Sequence, residues 1–292
     1  MVIENIKDRI KEYRDKTEKG ELDYLAWSKL FGDFYQGYAT LRYKLNPGSV
    51  FRARINRDRG KKVDYFNHIN ELGAPDEKRV TKIGRCNSVN ESVFYCSFDT
   101  DTTLFETSPK EGEEITIMEY LTPFFLEDLN VIDIDNLSII YPDLNEIFIN
   151  HYDYTNVPPN YVNWIKTIDR FLANEFQAIV NEKNAFLYQI TNGIKDFHLR
   201  ENKVLYVKSF QQKPSNGLLY PSVNPKRSGV NLVLKKNYYK RVLVPKKAFK
   251  YFVETKLDNF DYRMIKTAVS KEISSDGQIY WQEEIGDFQR VC

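Results

Sequence analysis

Four short clusters of polar and aromatic residues stand in apolar, strand-like surroundings. In chain order they are Phe51-Arg52-Ala53-Arg54, Gly84-Arg85-Cys86-Asn87, Tyr95 with Glu106 after it, and Tyr220-Pro221-Ser222-Val223. Ionised side chains in such text are costly to bury unless they are paired or used. Arg52 and Arg54 share one face of a strand, because residues i and i+2 point the same way. Either could grip a pyrophosphate by bidentate hydrogen bonds. Gly84 to Asn87 reads as a tight turn presenting Arg85 and Asn87, and its glycine lets backbone approach a ligand closely. Glu106 lies on a helix that follows the Tyr95 strand, where a carboxylate could stabilise an oxocarbenium-like sugar cation. An acid and two or more arginines in one pocket would suit the breaking of an N-glycosidic bond in a nucleotide.

Taken singly, each cluster has a plainer reading. The arginine pair fits a solvated strand face beside the basic run Arg57, Arg59, Lys61 and Lys62. Gly and Asn are ordinary turn residues, and Glu106 fits a surface helix. Asp99 and Asp101 are explained by helix capping rather than by a metal. Cys86 fits a small buried hydrophobe better than a nucleophile. His68, His151 and His198 show no ligand spacing, so no metal is expected. Neither a P-loop nor a dinucleotide fingerprint occurs.

The elements that must position these residues follow from periodicity and punctuation. Residues 2–17 read as an amphipathic helix with Ile3, Ile6, Ile10 and Tyr13 at helical spacing, ended by Lys19-Gly20. Tyr24 to Tyr43 reads as one or two helices, with a boundary at Asn46-Pro47-Gly48. Val50 to Ile55 is a strand. Residues 56–80 form a long basic loop with a short helix around Tyr65 to Leu72. Ser92 to Phe98 is a strand, and Asp99 to Glu106 opens a helix with Asp99 or Thr100 as N-cap. Glu114 to Leu121 and Leu129 to Ile134 read as strands. Tyr161 to Asn181 is the longest helix, with Trp164, Ile165, Ile168, Phe171, Leu172, Phe176 and Ile179 on one broad face. Phe186 to Leu199 is helical with a break near Asn192-Gly193. Leu218 to Tyr220, Asn231 to Lys235 and Arg241 to Val244 read as short strands joined by turns. The last thirty or so residues carry no firm pattern. The sum is an α+β chain.

Composition excludes several classes. The 292 residues are 42% hydrophobic and 28% charged, which is ordinary globular composition. A net charge of +1 gives no footprint for nucleic acid or a membrane surface, so direct nucleic-acid binding is not expected. No run approaches the roughly 18 apolar residues that span a bilayer. The charged N-terminus lacks a signal core, and three cysteines fit a reducing, cytoplasmic setting. Twenty Tyr and nineteen Phe favour a ring-rich core and pocket.

Together, the order and spacing of the clusters resemble the RES-domain family, named for its Arg, Glu and Ser. Phe51-Arg52 matches the apolar-Arg start, and Gly84 to Asn87 the Gly-Arg-x-Asn turn. Tyr95 and Glu106 match the strand-ending Tyr and the following Glu. Tyr220-Pro221-Ser222 with Gly229-Val230-Asn231 matches the closing segments. The resemblance covers about residues 50–245 and implies an ADP-ribosyltransferase-like mixed sheet flanked by helices. It divides the chain into an N-terminal helical extension (1–48), a RES domain (49–255) and a C-terminal segment packed on it (256–292).

The resemblance also implies NAD as substrate, cleaved by hydrolysis or phosphorolysis, and no metal. It implies Arg52, Glu106 and Ser222 as catalytic residues. Arg54, Arg85, Asn87, Tyr95, Tyr188, Thr191 and Asn231 would line the nucleotide site. Arg54 remains an alternative to Arg52, and Thr191 an alternative to Ser222. Family members include toxins held by a helix-turn-helix antitoxin, and others resemble protein ADP-ribosyltransferases. The loop between Arg52 and Gly84 is longer than in the small toxins, and the Met1 to Gly48 extension is additional to them. The other readings are a non-catalytic nucleotide- or nucleic-acid-binding module using the 57–62 loop, and an assembly protein using its N-terminal helices.

Overall fold

A computed structural model of the chain describes residues 3–23, 25–27, 29–30, 43–56, 66–132, 159–199, 215–223, 229–258, 261–284, 286 and 288–291. The basic run 57–62 and most of the helices expected between 24 and 43 lie outside these. The chain is mixed α+β. In order, its elements are α1 (Ile3–Glu18), β1 (Tyr43–Leu45), β2 (Ser49–Ile55), α2 (Ile69–Leu72), β3 (Val93–Ser97), α3 (Thr100–Thr107), β4 (Glu114–Leu121) and β5 (Leu126–Val131). They continue as α4 (Pro159–Gln177), α5 (Leu187–Leu199), β6 (Gly217–Pro221), β7 (Val230–Lys235), α6 (Lys236–Val242), β8 (Val244–Asp258), β9 (Asp261–Ile273), β10 (Ile279–Glu283) and β11 (Phe288–Val291). These group into two compact units, each built from discontinuous stretches of chain. The first holds residues 1–44, 76–92 and 127–221, and the second residues 45–75, 93–126 and 222–292.

The second unit is an antiparallel sheet in the order β7-β3-β2-β4-β8-β9, with β10 and β11 both pairing β9. Its register sorts the side chains by face, since successive residues point to opposite sides. Opposite pairs such as Phe51↔Ser97, Ala53↔Ile117 and Ile115↔Tyr251 share one face. There Leu104 and Phe105 of α3 pack on Ile115, Ile117, Tyr251, Val253, Tyr262 and Met264, with Phe51 and Ala53 against the cluster. Burying a side chain of this size contributes about 1.5–3 kcal/mol. The other face carries Arg52, Arg54, Thr116, Met118, Tyr120 and Lys250.

Two parts of this unit differ from the sequence expectation. Residues 236–242 form helix α6 instead of leading into a strand at Arg241. The helix is fixed by tertiary packing: the Tyr239 ring stacks on Phe94 at 4.2 Å between centroids. Its hydroxyl also accepts from Ala74 N at 3.3 Å. Residues beyond Val244, where no strand is expected, form the β8–β9 ladder, from Phe249↔Val269 to Asp258↔Asp261. Irregularities at Lys250/Tyr251, Val253/Thr255 and Lys256/Asp258 shift its register and break a clean period of two.

The first unit joins three helices. Arg14 of α1 donates to the buried Glu175 of α4 at 2.6 Å, and Trp27 Nε1 donates to Thr17 Oγ1 at 2.7 Å. β5 and β6 pair in parallel. Helix α4 stops at Gln177, earlier than expected, and Ile179 is exposed. Asn181 and Asn184 form a capping box that opens a new 3-10 turn at Glu182, and Asn184 Nδ2 donates to Ile179 O. Helix α5 runs unbroken through Asn192-Gly193, and Asn192 Nδ2 donates to the Tyr188 carbonyl one turn back.

Lys250 offers a test of the buried sheet face. Its ammonium lies 4.0 Å from the Trp281 ring centre. Burial pulls its pKa from the usual 10.5 to about 8, partly opposed by Glu114. Below about pH 8 the lysine is charged in both folded and unfolded chains, and the burial penalty is carried in full. Between about 8 and 10.5 the folded state sheds its proton first, so this group's contribution makes stability rise with pH. The stability difference between the native chain and Lys250→Met, followed by urea unfolding across that window, is expected to shift in favour of the native chain. Parallel curves would overturn the assignment.

Candidate functional site

Strand β3 and helix α3 are joined by a turn that sets the helix start. Asp99 caps it, Oδ1 accepting from Thr102 N at 2.7 Å and Oδ2 from Thr102 Oγ1 at 2.8 Å. The helix ends at Ser108, which adopts a left-handed φ of 46° and donates its N–H to Leu104 O. Glu106 therefore sits in the last turn, half-buried. A negative charge is disfavoured there, since the helix C-terminus is the negative end of the backbone dipole.

Three donors offset that cost at one atom. Glu106 Oε1 accepts from Ser222 Oγ at 2.8 Å, Val223 N at 3.1 Å and Asn231 Nδ2 at 2.7 Å. Oε2 takes no hydrogen bond from the described residues. Ser222 and Asn231 are each only 2% exposed. Ser222 N donates to Gly229 O at 2.9 Å, which closes the chain on itself around the site. Asn231 is the ladder partner of Ser97, and Ser97 Oγ donates to Asn231 Oδ1 at 2.8 Å. Tyr95, two residues earlier on β3, shares the face of Ser97 and is half-buried. Glu106, Ser222, Asn231 and Tyr95 thus belong to one side of one sheet.

Arg52 and Arg54 lie on the other side. Arg52 is 9% exposed, with its guanidinium 5.1 Å from the Phe94 ring centre. Burial lowers its pKa, and the groups that oppose the shift are Tyr120, Cys96, Tyr239 and Tyr95, with no carboxylate among them. β2 pairs with β3 only at Phe51↔Ser97. Beyond that point Arg52 Nη1 donates to the Tyr95 carbonyl at 2.6 Å, standing in for a ladder hydrogen bond. Arg54 Nη2 donates to Gly73 O at 2.8 Å.

The remaining candidates fall in the first unit. Gly84 N donates to Asn87 O at 2.9 Å and closes the expected turn. Asn87 Nδ2 donates to the Lys82 and Ser88 carbonyls, each at 3.1 Å. Arg85 lies over the Tyr188 ring at 5.9 Å and donates to Ala178 O at 3.0 Å and Glu175 O at 3.5 Å. It supplies donors to carbonyls that the end of α4 leaves unpaired. Thr191 is buried and donates to Tyr188 O at 3.4 Å. Asn192 ties the turn to α5 by donating to Gly84 O. Lys195 adds an ion pair to Glu91 Oε2 at 2.5 Å, and the same oxygen accepts from Ser88 N at 2.8 Å.

Cys86 and Cys96 are buried and form no disulfide, and burial pushes the Cys96 pKa up, away from what a nucleophilic thiol needs. Among the described residues no three His, Cys, Asp or Glu side chains converge in a group that could hold a metal. Ser97 does not stand out in the sequence. Its only signal was its position two residues after Tyr95, on the same strand face.

No family model matches the chain, and no curated protein is significantly similar to it.

Gly229 sits where the Glu106 site admits no side chain. A Cβ there would lie 2.3 Å from Thr102 Oγ1, 2.9 Å from Thr102 Cγ2 and 3.1 Å from Ser222 Cβ. Gly229→Ala is expected to cost about 1–3 kcal/mol of stability through overpacking. Thermal unfolding measures this, and an unchanged midpoint would show that the segment gives way freely.

Proposed function

We propose that the chain cleaves the nicotinamide–ribose bond of NAD by hydrolysis or phosphorolysis, as an ADP-ribosyltransferase-like relative of the RES-domain family. The observation that carries this reading is the Glu106 carboxylate. It is fixed through Oε1 by three donors, while Oε2 takes no hydrogen bond from the described residues and in this reading meets the ligand. A carboxylate oriented before the substrate arrives stabilises positive charge without reorganising during the reaction. In glycosyl transfer that charge develops on the sugar ring.

In this reading each residue takes a role. Glu106 Oε2 accepts a hydrogen bond from a ribose hydroxyl and faces the charge growing at C1′. Ser222, Val223 N–H and Asn231 keep the carboxylate in place. Tyr95, on the same sheet face, offers a ring to the nicotinamide. The C1′–N bond breaks with its electron pair passing to the nicotinamide nitrogen, whose positive charge makes it a good leaving group. Water or phosphate then bonds to C1′, and an attacking water gives up its proton to solvent. A strong protein nucleophile is not required. Arg52 supports the site indirectly in this reading, holding the Tyr95 carbonyl and so its strand. The cytoplasmic setting and a helix-turn-helix antitoxin as partner belong to the same proposal.

The test is nicotinamide release from NAD by the purified chain, with and without phosphate, beside Glu106→Gln. Glutamine keeps an acceptor for Ser222 and Asn231 but loses the charge. Release is expected from the native chain and should fall by roughly 10²–10³ in the variant, while the unfolding midpoint stays close to native. Absence of release under both conditions, or near-normal turnover in Glu106→Gln, would overturn the proposal.

A further inference from the structure

We infer that Ser97 is a positioning residue for Glu106, acting through the side-chain amide of Asn231. This rests on the reading of Glu106 as the acid of the site. Ser97 makes no hydrogen bond to Glu106. Its hydroxyl donates to Asn231 Oδ1 at 2.8 Å, and Asn231 Nδ2 then donates to Glu106 Oε1 at 2.7 Å. Ser97 and Asn231 are each 2% exposed, so water does not compete for these bonds. They are also direct partners across the β3–β7 ladder, which keeps the two side chains facing each other.

The amide has one end that donates and one that accepts. Glu106 needs the donating end, because a carboxylate facing Oδ1 would set acceptor against acceptor. Ser97 satisfies the accepting end. It also polarises the amide, and hydrogen bonds in a chain strengthen one another. With the hydroxyl gone, the buried Oδ1 loses its partner and the amide is free to turn toward other donors. Glu106 Oε1 then keeps Ser222 and Val223 but loses the donor that comes from the sheet itself. The carboxylate is less firmly aimed, while the surface that meets the substrate is unchanged.

The test compares Ser97→Ala with Ser97→Thr, which restores a hydroxyl on a residue suited to a strand. Nicotinamide release is expected to show kcat down roughly three- to tenfold in Ser97→Ala, the scale of one hydrogen bond, with KM within about twofold. Ser97→Thr should recover most of the loss. The side-chain amide signals of Asn231, followed by ¹⁵N NMR and assigned by their absence in Asn231→Asp, should move and exchange faster in Ser97→Ala but not in Ser97→Thr. Unmoved signals in Ser97→Ala, or equal losses in the two variants, would overturn the inference. Amide signals that respond as expected in a chain that releases no nicotinamide would overturn the NAD reading and leave the positioning of Glu106 standing.

Discussion

The second unit depends on where a single negative charge is held. Glu106 lies in the last turn of its helix, where the backbone dipole opposes it, and close to a buried apolar cluster. Helix propensity and core packing would both accept an uncharged residue there. What keeps the carboxylate is a set of donors converging on one oxygen: Ser222 Oγ, Val223 N–H and the Asn231 amide. These come from two segments remote from the helix in sequence. The chain brings them in by pairing β7 with β3 and by letting Gly229 pass against Thr102, where any Cβ would collide.

The sheet's alternation then decides which candidates share that site. Phe51 and Ala53 bury against α3, so Arg52 and Arg54 must face away from it. Their engagement is with main-chain carbonyls, at Tyr95 and at Gly73. Arg85 does similar work at the end of α4. A guanidinium suits these places because its fixed fork of donors reaches carbonyls that a ladder or helix leaves unpaired.

Much of this was legible in the sequence, and the limits have physical causes. The Asp99 cap, helix α3 and strand β4 were readable because their signals are local: a capping side chain, a turn and a period of two. That Arg52 and Arg54 share a face was also readable. Which face was not, since that depends on the helix that covers β2. Helix α6 was hidden because Tyr239 is fixed by stacking on Phe94, a contact absent from its own segment. The β8–β9 hairpin was hidden by bulges that slip the alternation. The bonds of Arg85 to the end of α4 were hidden because that helix end lies far along the chain.

Acid and arginines therefore differ in what their neighbours need. Remove an arginine such as Arg85 and backbone carbonyls at a helix end lose a donor, a loss that water can meet at a half-buried position. Remove the Glu106 carboxyl group and the Asn231 amide, buried and already fixed by Ser97, loses the acceptor around which its orientation is set. Buried donors with one shared acceptor are a costly arrangement to leave incomplete. A fold under selection for stability alone has a cheaper solution, an apolar side chain at the helix end and an apolar partner at position 231. The chain instead keeps a polar path from Ser97 to Glu106 and leaves one carboxylate oxygen without a described partner. In the proposed function that polarity is kept for a ligand rather than for the core.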